Sequence, residues 1–301
     1  MNIINFNQAL NDALNFLIKN QAPKINFKKL NFPIVVGSGN AYNTGLILFA
    51  KQPAVFASES TFKEVIKNYQ PLIKKKIIKQ AVVISASGAK DSTWEIQLAK
   101  KYKLKTLLLT CVENSPAAKV ADQVKIFKKI PEPYTYNIST YLNMILSASP
   151  EKPKDILNFL KKIKLAKNFK NYASYAFILP DNYAPVARMI LAKADELFGP
   201  HVAIRAFTSG DARHAKFINR TKKELVISFG EPNHFFGEPK HRLDLALPKN
   251  HDFGLIFSLA YALLGKIQEV KPPYFKNNIK KYCSDYGPKA YGKNEKLNLI
   301  S

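Results

Sequence analysis

The chain has 301 residues, 47% of them hydrophobic, enough for two domains of ordinary size with real cores. Its formal net charge of +24 favours anionic ligands, and its two cysteines, Cys111 and Cys283, lie too far apart for a metal or redox motif and read as reduced thiols. No run approaches the roughly 20 apolar residues of a membrane span, and the opening MNIINFNQALNDALNF does not read as an export signal, so a cytoplasmic protein is expected.

In chain order, residues 5–19 place Phe6, Leu10, Leu14 and Leu17 or Ile18 on one helical face. A β-branched run at 33–36 meets a Gly-Ser-Gly turn and a helix over 41–51. A second run at 81–84 meets Ser85-Ala86-Ser87-Gly88 and a helix reaching Tyr102, and strands follow at 106–110 and 124–127. Short apolar runs alternating with helices predict a buried parallel sheet. After a charged stretch at 151–170 the order repeats. Strands are expected at 175–179, 225–228 and 243–247, with helices over 184–198 and 253–266. Two copies of one unit fit this better than a single large sheet. The expected organisation is 1–150 for an N-terminal helix plus a first domain and 151–270 for a second. A basic tail with no core-forming pattern occupies 271–301.

Of the 46 basic residues all but five are lysine, in a chain also rich in Asn, Ile, Phe and Tyr. AT-rich coding produces that mixture. The lysine groups at 74–76 and at 161, 162 and 164 read as solvated helix faces, so nucleic acid is not expected as a partner. All the arginines (188, 205, 213, 220 and 242) and all the histidines lie in the second half. Where lysine is the default cation, an arginine marks a need for a rigid guanidinium fork, or simply a surface ion pair.

Ligands of open parallel sheets sit beyond the carboxyl ends of the strands, where strand order reverses. There the sequence puts Gly37, Ser38, Gly39 and Asn40, then Ser58 in Ala-Ser-Glu-Ser, then Ser85, Ser87 and Gly88. Backbone N–H groups and serine hydroxyls at a helix start cradle phosphate without a metal or a P-loop lysine, although each such turn alone also serves as an ordinary cap. Neither GxxxxGK[ST] nor GxGxxG occurs, and His234, His241 and His251 lack metal-site spacing. No cofactor or metal is expected.

The segments VVGSGNAYNTGLILF, ASES and VVISASGAKDSTWEIQLAKKYKLKTLLLTCV resemble the sugar isomerase (SIS) domain family. The resemblance implies an α/β fold of two SIS domains, each a five-stranded parallel sheet flanked by helices, binding a sugar phosphate through a turn of form S-x-S-G-x-T. Ser85, Ser87 and Gly88 match that turn, and Thr93 matches a second threonine in the following helix. Lys90 stands in place of the first threonine and Ala89 in place of an acidic residue. Asn137-Ile138-Ser139-Thr140 resembles the segment before the family's fifth helix, which would set Ser139 facing the sugar. The second half resembles the second SIS domain of the isomerase part of glucosamine-6-phosphate synthase, and the tandem-SIS phosphoglucose/phosphomannose isomerases. Glu196 in Lys-Ala-Asp-Glu and His214 in Ser-Gly-Asp-Ala-Arg-His correspond to the Glu and His of those proteins, with about two extra residues between them.

Moving a carbonyl between C1 and C2 of a sugar needs one base that takes a proton from one carbon and returns it to its neighbour. A carboxylate in a partly apolar pocket suits that task, and a histidine suits ring opening. The resemblance therefore implies Glu196 as shuttle base and His214 as ring-opening acid/base, the latter reaching the site from a second subunit of a homodimer. A solvated Glu196 and a surface His214 are the plain alternative, and His201 is a further candidate histidine. The expected activity is aldose–ketose isomerisation of a hexose 6-phosphate, glucose or mannose 6-phosphate to fructose 6-phosphate. The rivals are an amino-sugar phosphate enzyme of the glucosamine-6-phosphate or fructosamine-phosphate type and a non-catalytic sugar-phosphate-binding protein. A glutamine-hydrolysing synthase would need an N-terminal cysteine, which a chain beginning Met-Asn is not expected to supply.

Overall fold

The computed structural model describes residues 3–286 and 297–301, so part of the basic tail lies outside the described residues. The chain forms two compact units that interleave along the sequence: Phe16–Ile130 with Ser139–Pro150, and Met1–Asn15 with Pro131–Ile138 and Glu151–Ser301. Each holds one fully parallel sheet flanked by helices, an α/β architecture.

In the first unit β1 (Ile34–Gly37), β2 (Val55–Ala57), β3 (Gln80–Ile84), β4 (Lys105–Thr110) and β5 (Gln123–Ile126) are ordered β2-β1-β3-β4-β5. Val35 stands opposite both Phe56 and Val82. Successive side chains leave a strand on opposite faces. Accordingly Ile34, Val36, Ala81 and Val83 share a core with Phe62 and Ile66 of α3 (Phe62–Asn68) and with Ile96 and Ala99 of α5 (Asp91–Lys101). Val35 faces the other way, against α2 (Asn40–Leu48), where Gly45 lets the helix so close that a Cβ there would lie 2.9 Å from Val35 Cγ1. Helix α4 (Gln70–Lys74) leads into β3, and most of α6 (Ile138–Ser147) completes the unit. The sequence reading lacked β2, a strand of three residues.

The second unit contains α7 (Pro153–Leu160), β6 (Ser174–Leu179), α8 (Ala184–Phe198), β7 (Ala203–Thr208), α9 (Ser209–Ala215), β8 (Glu224–Phe229), β9 (Arg242–Leu245), α10 (Phe253–Val270) and α11 (Tyr274–Lys281). Its order is β7-β6-β8-β9, so the expectation of five strands is corrected to four among the described residues. After β9 the chain passes through Pro248-Lys249-Asn250 directly into α10 instead of adding an edge. Strand β7, which sequence reading took as loop, is the opposite edge and pairs along its whole length with β6.

Parallel crossovers are right-handed, so α8, stepping from β6 to β7, and α9, stepping back from β7 to β8, cover opposite faces of this sheet. The packing agrees. Ala176 and Ile178 of β6 bury against Ala212 of α9 and Phe217, which leaves Tyr175, Phe177 and Leu179 for the α8 face. Helix α10 is long and apolar enough by length and composition to cross a membrane, yet 83% of it is buried, as befits a core helix. Its N-terminus is capped by Glu151, whose carboxylate accepts from the N–H groups of Asp252, Gly254 and Leu255 at 2.8–3.1 Å. The start of α1 (Phe6–Lys19) belongs to this unit. Phe6 N–H donates to Gln268 Oε1 at 2.7 Å, and Gly265 admits the α1 backbone so closely that a Cβ would sit 2.6 Å from Asn7 N. The start of the tail is ordered too: α11 buries Phe275 and Ile279, one turn apart on one face. Neither cysteine is in a disulfide among the described residues.

Candidate functional site

The Ser-rich turns of the five-stranded unit come together as the sequence predicts. Gly37, Ser58 and Ser85 directly end or follow β1, β2 and β3, three neighbours in the sheet, so their turns share its carboxyl edge. The chain departs from β1 to β2 on one side and returns to β3 on the other, which makes this the strand-order reversal where ligands settle. The turn after β3 is tightly built. Gly88 N–H reaches Ser85 O and Ser85 Oγ, both at 3.2 Å, Ala89 N–H reaches Ser87 Oγ at 3.3 Å, and Cys111 N–H holds Ala86 O at 3.0 Å. Gly88 has φ +59, and a Cβ there would lie 2.1 Å from Ser115 Oγ, so only glycine fits. Ser58 Oγ lies 2.9 Å from Ser60 Oγ and 3.1 Å from Thr61 Oγ1 in a hydroxyl cluster beyond β2.

Gly39 (φ 53, ψ −120) and Lys90 (φ 56, ψ −121) occupy the same backbone conformation at the N-caps of α2 and α5. Glycine adopts it freely and lysine does not, so Lys90 sits at a strained position of the kind retained at functional turns. Ser38, Ser87 and Lys90 are exposed, while Asn40 and Thr93 are half-buried at the starts of their helices. Ser139 differs from expectation: it is fully buried, and its Oγ accepts from Ile130 N–H at 3.2 Å, which anchors the chain instead of presenting a hydroxyl to a ligand.

In the four-stranded unit the Lys-Ala-Asp-Glu segment closes α8. The i, i+3 spacing puts Lys193 and Glu196 on one face. Lys193 is 1% exposed, and its Nζ donates to Thr135 O and to Glu196 Oε2, each at 2.5 Å. Both contacts satisfy an ammonium that would otherwise be buried at large cost. Glu196 is one-third exposed and lines a cavity of about 570 Å³ together with Tyr134, Thr135, His201, Tyr274 and Asn278. The His201 ring stacks on Tyr274 at 4.2 Å with 7° between planes, so α11 of the former tail forms one wall. His214 is exposed on α9, across the sheet from α8, and this unit does not bring it to Glu196. Thr208 Oγ1 caps α9 by accepting from Asp211 N–H, and Asp181 Oδ1 accepts from Gly210 N–H. These bonds fix the turn that carries His214.

Glu95 lies outside every candidate site read from the sequence. On α5 the buried positions are Ser92, Glu95, Ile96 and Ala99, an inward stripe with a carboxyl in it, which was the available signal. Glu95 is 1% exposed, and its Oε1 has no hydrogen-bond partner. Burial first, then the charges of Asp91 and Glu59, push its pKa up to about 8. Lys193 and the wall from α11 were equally unseen. The former was read only as part of a motif, and the latter lay in a segment without a clear apolar pattern.

No family model matches the chain, and no curated protein does. Solved structures do. The C-terminal domain of glucosamine-fructose-6-phosphate aminotransferase from Francisella tularensis superposes with a TM-score of 0.59 at 16% identity, over 88% of this chain and 93% of that one. Glucosamine-6-phosphate deaminase from Thermotoga maritima gives 0.59 at 16% identity, over 88% and 92%. Tagatose-6-phosphate ketose/aldose isomerase from Escherichia coli gives 0.53 at 14% identity, over 87% and 85%. At such identities the likeness establishes the fold.

Proposed function

We propose that this chain binds a phosphorylated hexose and isomerises it between aldose and ketose, with Glu196 as the proton shuttle and no cofactor. The observation that carries the reading is the ion pair of buried Lys193 with one-third-exposed Glu196 at the wall of a cavity of about 570 Å³, a size suited to a sugar phosphate. Lys193 holds Oε2 of Glu196, a residue that lines the cavity, so the carboxylate is positioned as a base serving two adjacent carbons requires. Within the five-stranded unit, the glycine- and serine-lined turns at 37–40, 58 and 85–90 carry N–H and hydroxyl donors of the kind that bind phosphate. Ring opening falls to His201, which lines the same cavity as Glu196, or to His214 supplied by a second copy, because α9 lies across its sheet from α8. The second arrangement makes a homodimer obligatory. The names of the superposing proteins agree with a sugar-phosphate substrate.

The test is turnover of glucose, mannose and fructose 6-phosphates by wild type, Glu196→Gln, His201→Asn and His214→Asn. Loss of a general base costs about 10²- to 10⁴-fold, so Glu196→Gln should abolish turnover while thermal stabilisation by the sugar phosphate persists. A fully active Glu196→Gln refutes the assignment. Sensitivity of only one histidine variant identifies the ring-opening group, and a mixture of inactive Glu196→Gln and His214→Asn chains regains activity only if His214 works between subunits. A second reading, sugar-phosphate binding without turnover, is favoured by Lys90 in its strained N-cap in place of threonine. Ligand stabilisation with no turnover in wild type selects it.

A further inference from the structure

A cavity of about 1020 Å³ in the five-stranded unit is a groove at the amino edge of the sheet, opposite the Ser-rich turns. Separate stretches of chain deliver lysines to it. Lys29 precedes β1, Lys74 ends α4 with Lys76 just beyond it, and Lys79 precedes β3. Lys101, Lys103 and Lys105 bring the chain from α5 into β4. All are exposed, none forms an ion pair among the described residues, and no acidic side chain lines the groove. Asp122, in a smaller cavity that also touches Lys105, is held by Lys100 at 2.8 Å and by Thr106. Lysines are favoured at helix ends because the last carbonyls are partly negative, but the ends of α4 and α5 together amount to about one negative charge. Seven unpaired cations exceed that demand several-fold.

From this charge excess we infer that the groove binds a single-stranded nucleic acid. Seven positive charges surpass the roughly four negative charges of one nucleoside triphosphate, and a polymer of phosphates balances them in one extended track. The groove also offers faces that bare polyphosphate would not use: the half-buried ring of Tyr102 and the side chains of Ile73 and Ile77, the latter 47% exposed. Basic walls interleaved with an aromatic platform suit stacked bases on a tracked backbone. Chain order hides this site, since each lysine pair reads as an ordinary helix terminus until the fold collects them.

The experiment is fluorescence anisotropy of a labelled single-stranded RNA or DNA oligonucleotide with the full chain across a salt series. Each lysine–phosphate contact contributes about −0.7 to the slope of log K against log salt. Lys74→Ala/Lys76→Ala/Lys103→Ala should therefore lower the magnitude of the slope by about 2 and weaken binding roughly 100-fold near 0.1 M salt. The control Lys161→Ala/Lys162→Ala/Lys164→Ala removes the same charge from an exposed stretch elsewhere and should stay within a few-fold of wild type. Tyr102→Leu, which keeps the packing and removes the aromatic face, should cost on the order of tenfold. Equal losses in both triple variants, or none in either, would overturn the site. Inorganic polyphosphate competing at equal charge, with Tyr102→Leu unchanged, would overturn the nucleic-acid assignment.

Discussion

Replacing Glu95 by glutamine should make the protein more stable, and by an amount that grows with pH. In the folded chain burial raises the Glu95 carboxyl from the ordinary 4.5 to about 8, with Asp91 and Glu59 adding to the effect. Between those values the folded state holds a proton that the unfolded chain has lost. Unfolding then releases a proton, and stability falls as pH rises, by about 1.4 kcal/mol per pH unit for one group. Between about pH 5.5 and 7.5 the wild type should lose on the order of 3 kcal/mol from this residue alone. The glutamine keeps the shape, cannot ionise, and offers an N–H₂ in a region where the buried Glu59 Oε2 lacks a donor. Asp122 shifts the other way, held low by Lys100 and Thr106 against its desolvation, so its contribution changes only in more acidic solution. Urea denaturation of both proteins at several pH values measures the difference. Two curves converging near pH 5 and separating steadily above it are expected. Parallel curves across that range would mean that Glu95 ionises at no cost, and the reasoning from its burial would be wrong.

Other consequences follow from single contacts. Lys193→Met leaves Thr135 O without its donor and Glu196 without its partner; because Glu196 is one-third exposed and can rehydrate, about 1–3 kcal/mol is lost in thermal denaturation, while turnover falls as far as in Glu196→Gln. Gly88→Ala combines a left-handed φ, worth about 1–2 kcal/mol, with a 2.1 Å approach to Ser115 Oγ. Adding Ser115→Gly should recover the clash but not the backbone cost, and recovery to full wild-type stability would contradict the strain. Gly265→Ala pushes a methyl against the Asn7 backbone and should cost about 1–3 kcal/mol, with hydrogen exchange rising first in residues 6–15. Unchanged protection there would show that α1 is held by something other than this close packing.

What the sequence disclosed and what it hid divide along a physical line. Continuous apolar runs mark buried strands, so β1, β3, β4, β6 and β8 were legible, and α8 was placed to the residue. Of the four edge strands, β5 and β9 were legible to within two residues, whereas β2 and β7 escaped: β2 spans three residues, and β7 sets Arg205 among Ile204, Ala206 and Phe207 in a half-exposed run easily taken for loop. Losing β7 also hid the reversal of direction that puts α8 and α9 on opposite faces, and with it the separation of Glu196 from His214. The turns at 37–40 and 85–88 were legible because a glycine- and serine-rich turn is made by consecutive residues. The cavity at Glu196 was not, because its walls come from residues 134–135, the end of α8 and α11, brought together only by folding. The same reasoning explains the lysines, which chain order scatters over 29–105 and the amino edge of one sheet gathers. Local chemistry can be read from a sequence one turn at a time, whereas a charge patch or a cavity wall is a property of the sheet edge, and it was strand order that the sequence left least determined.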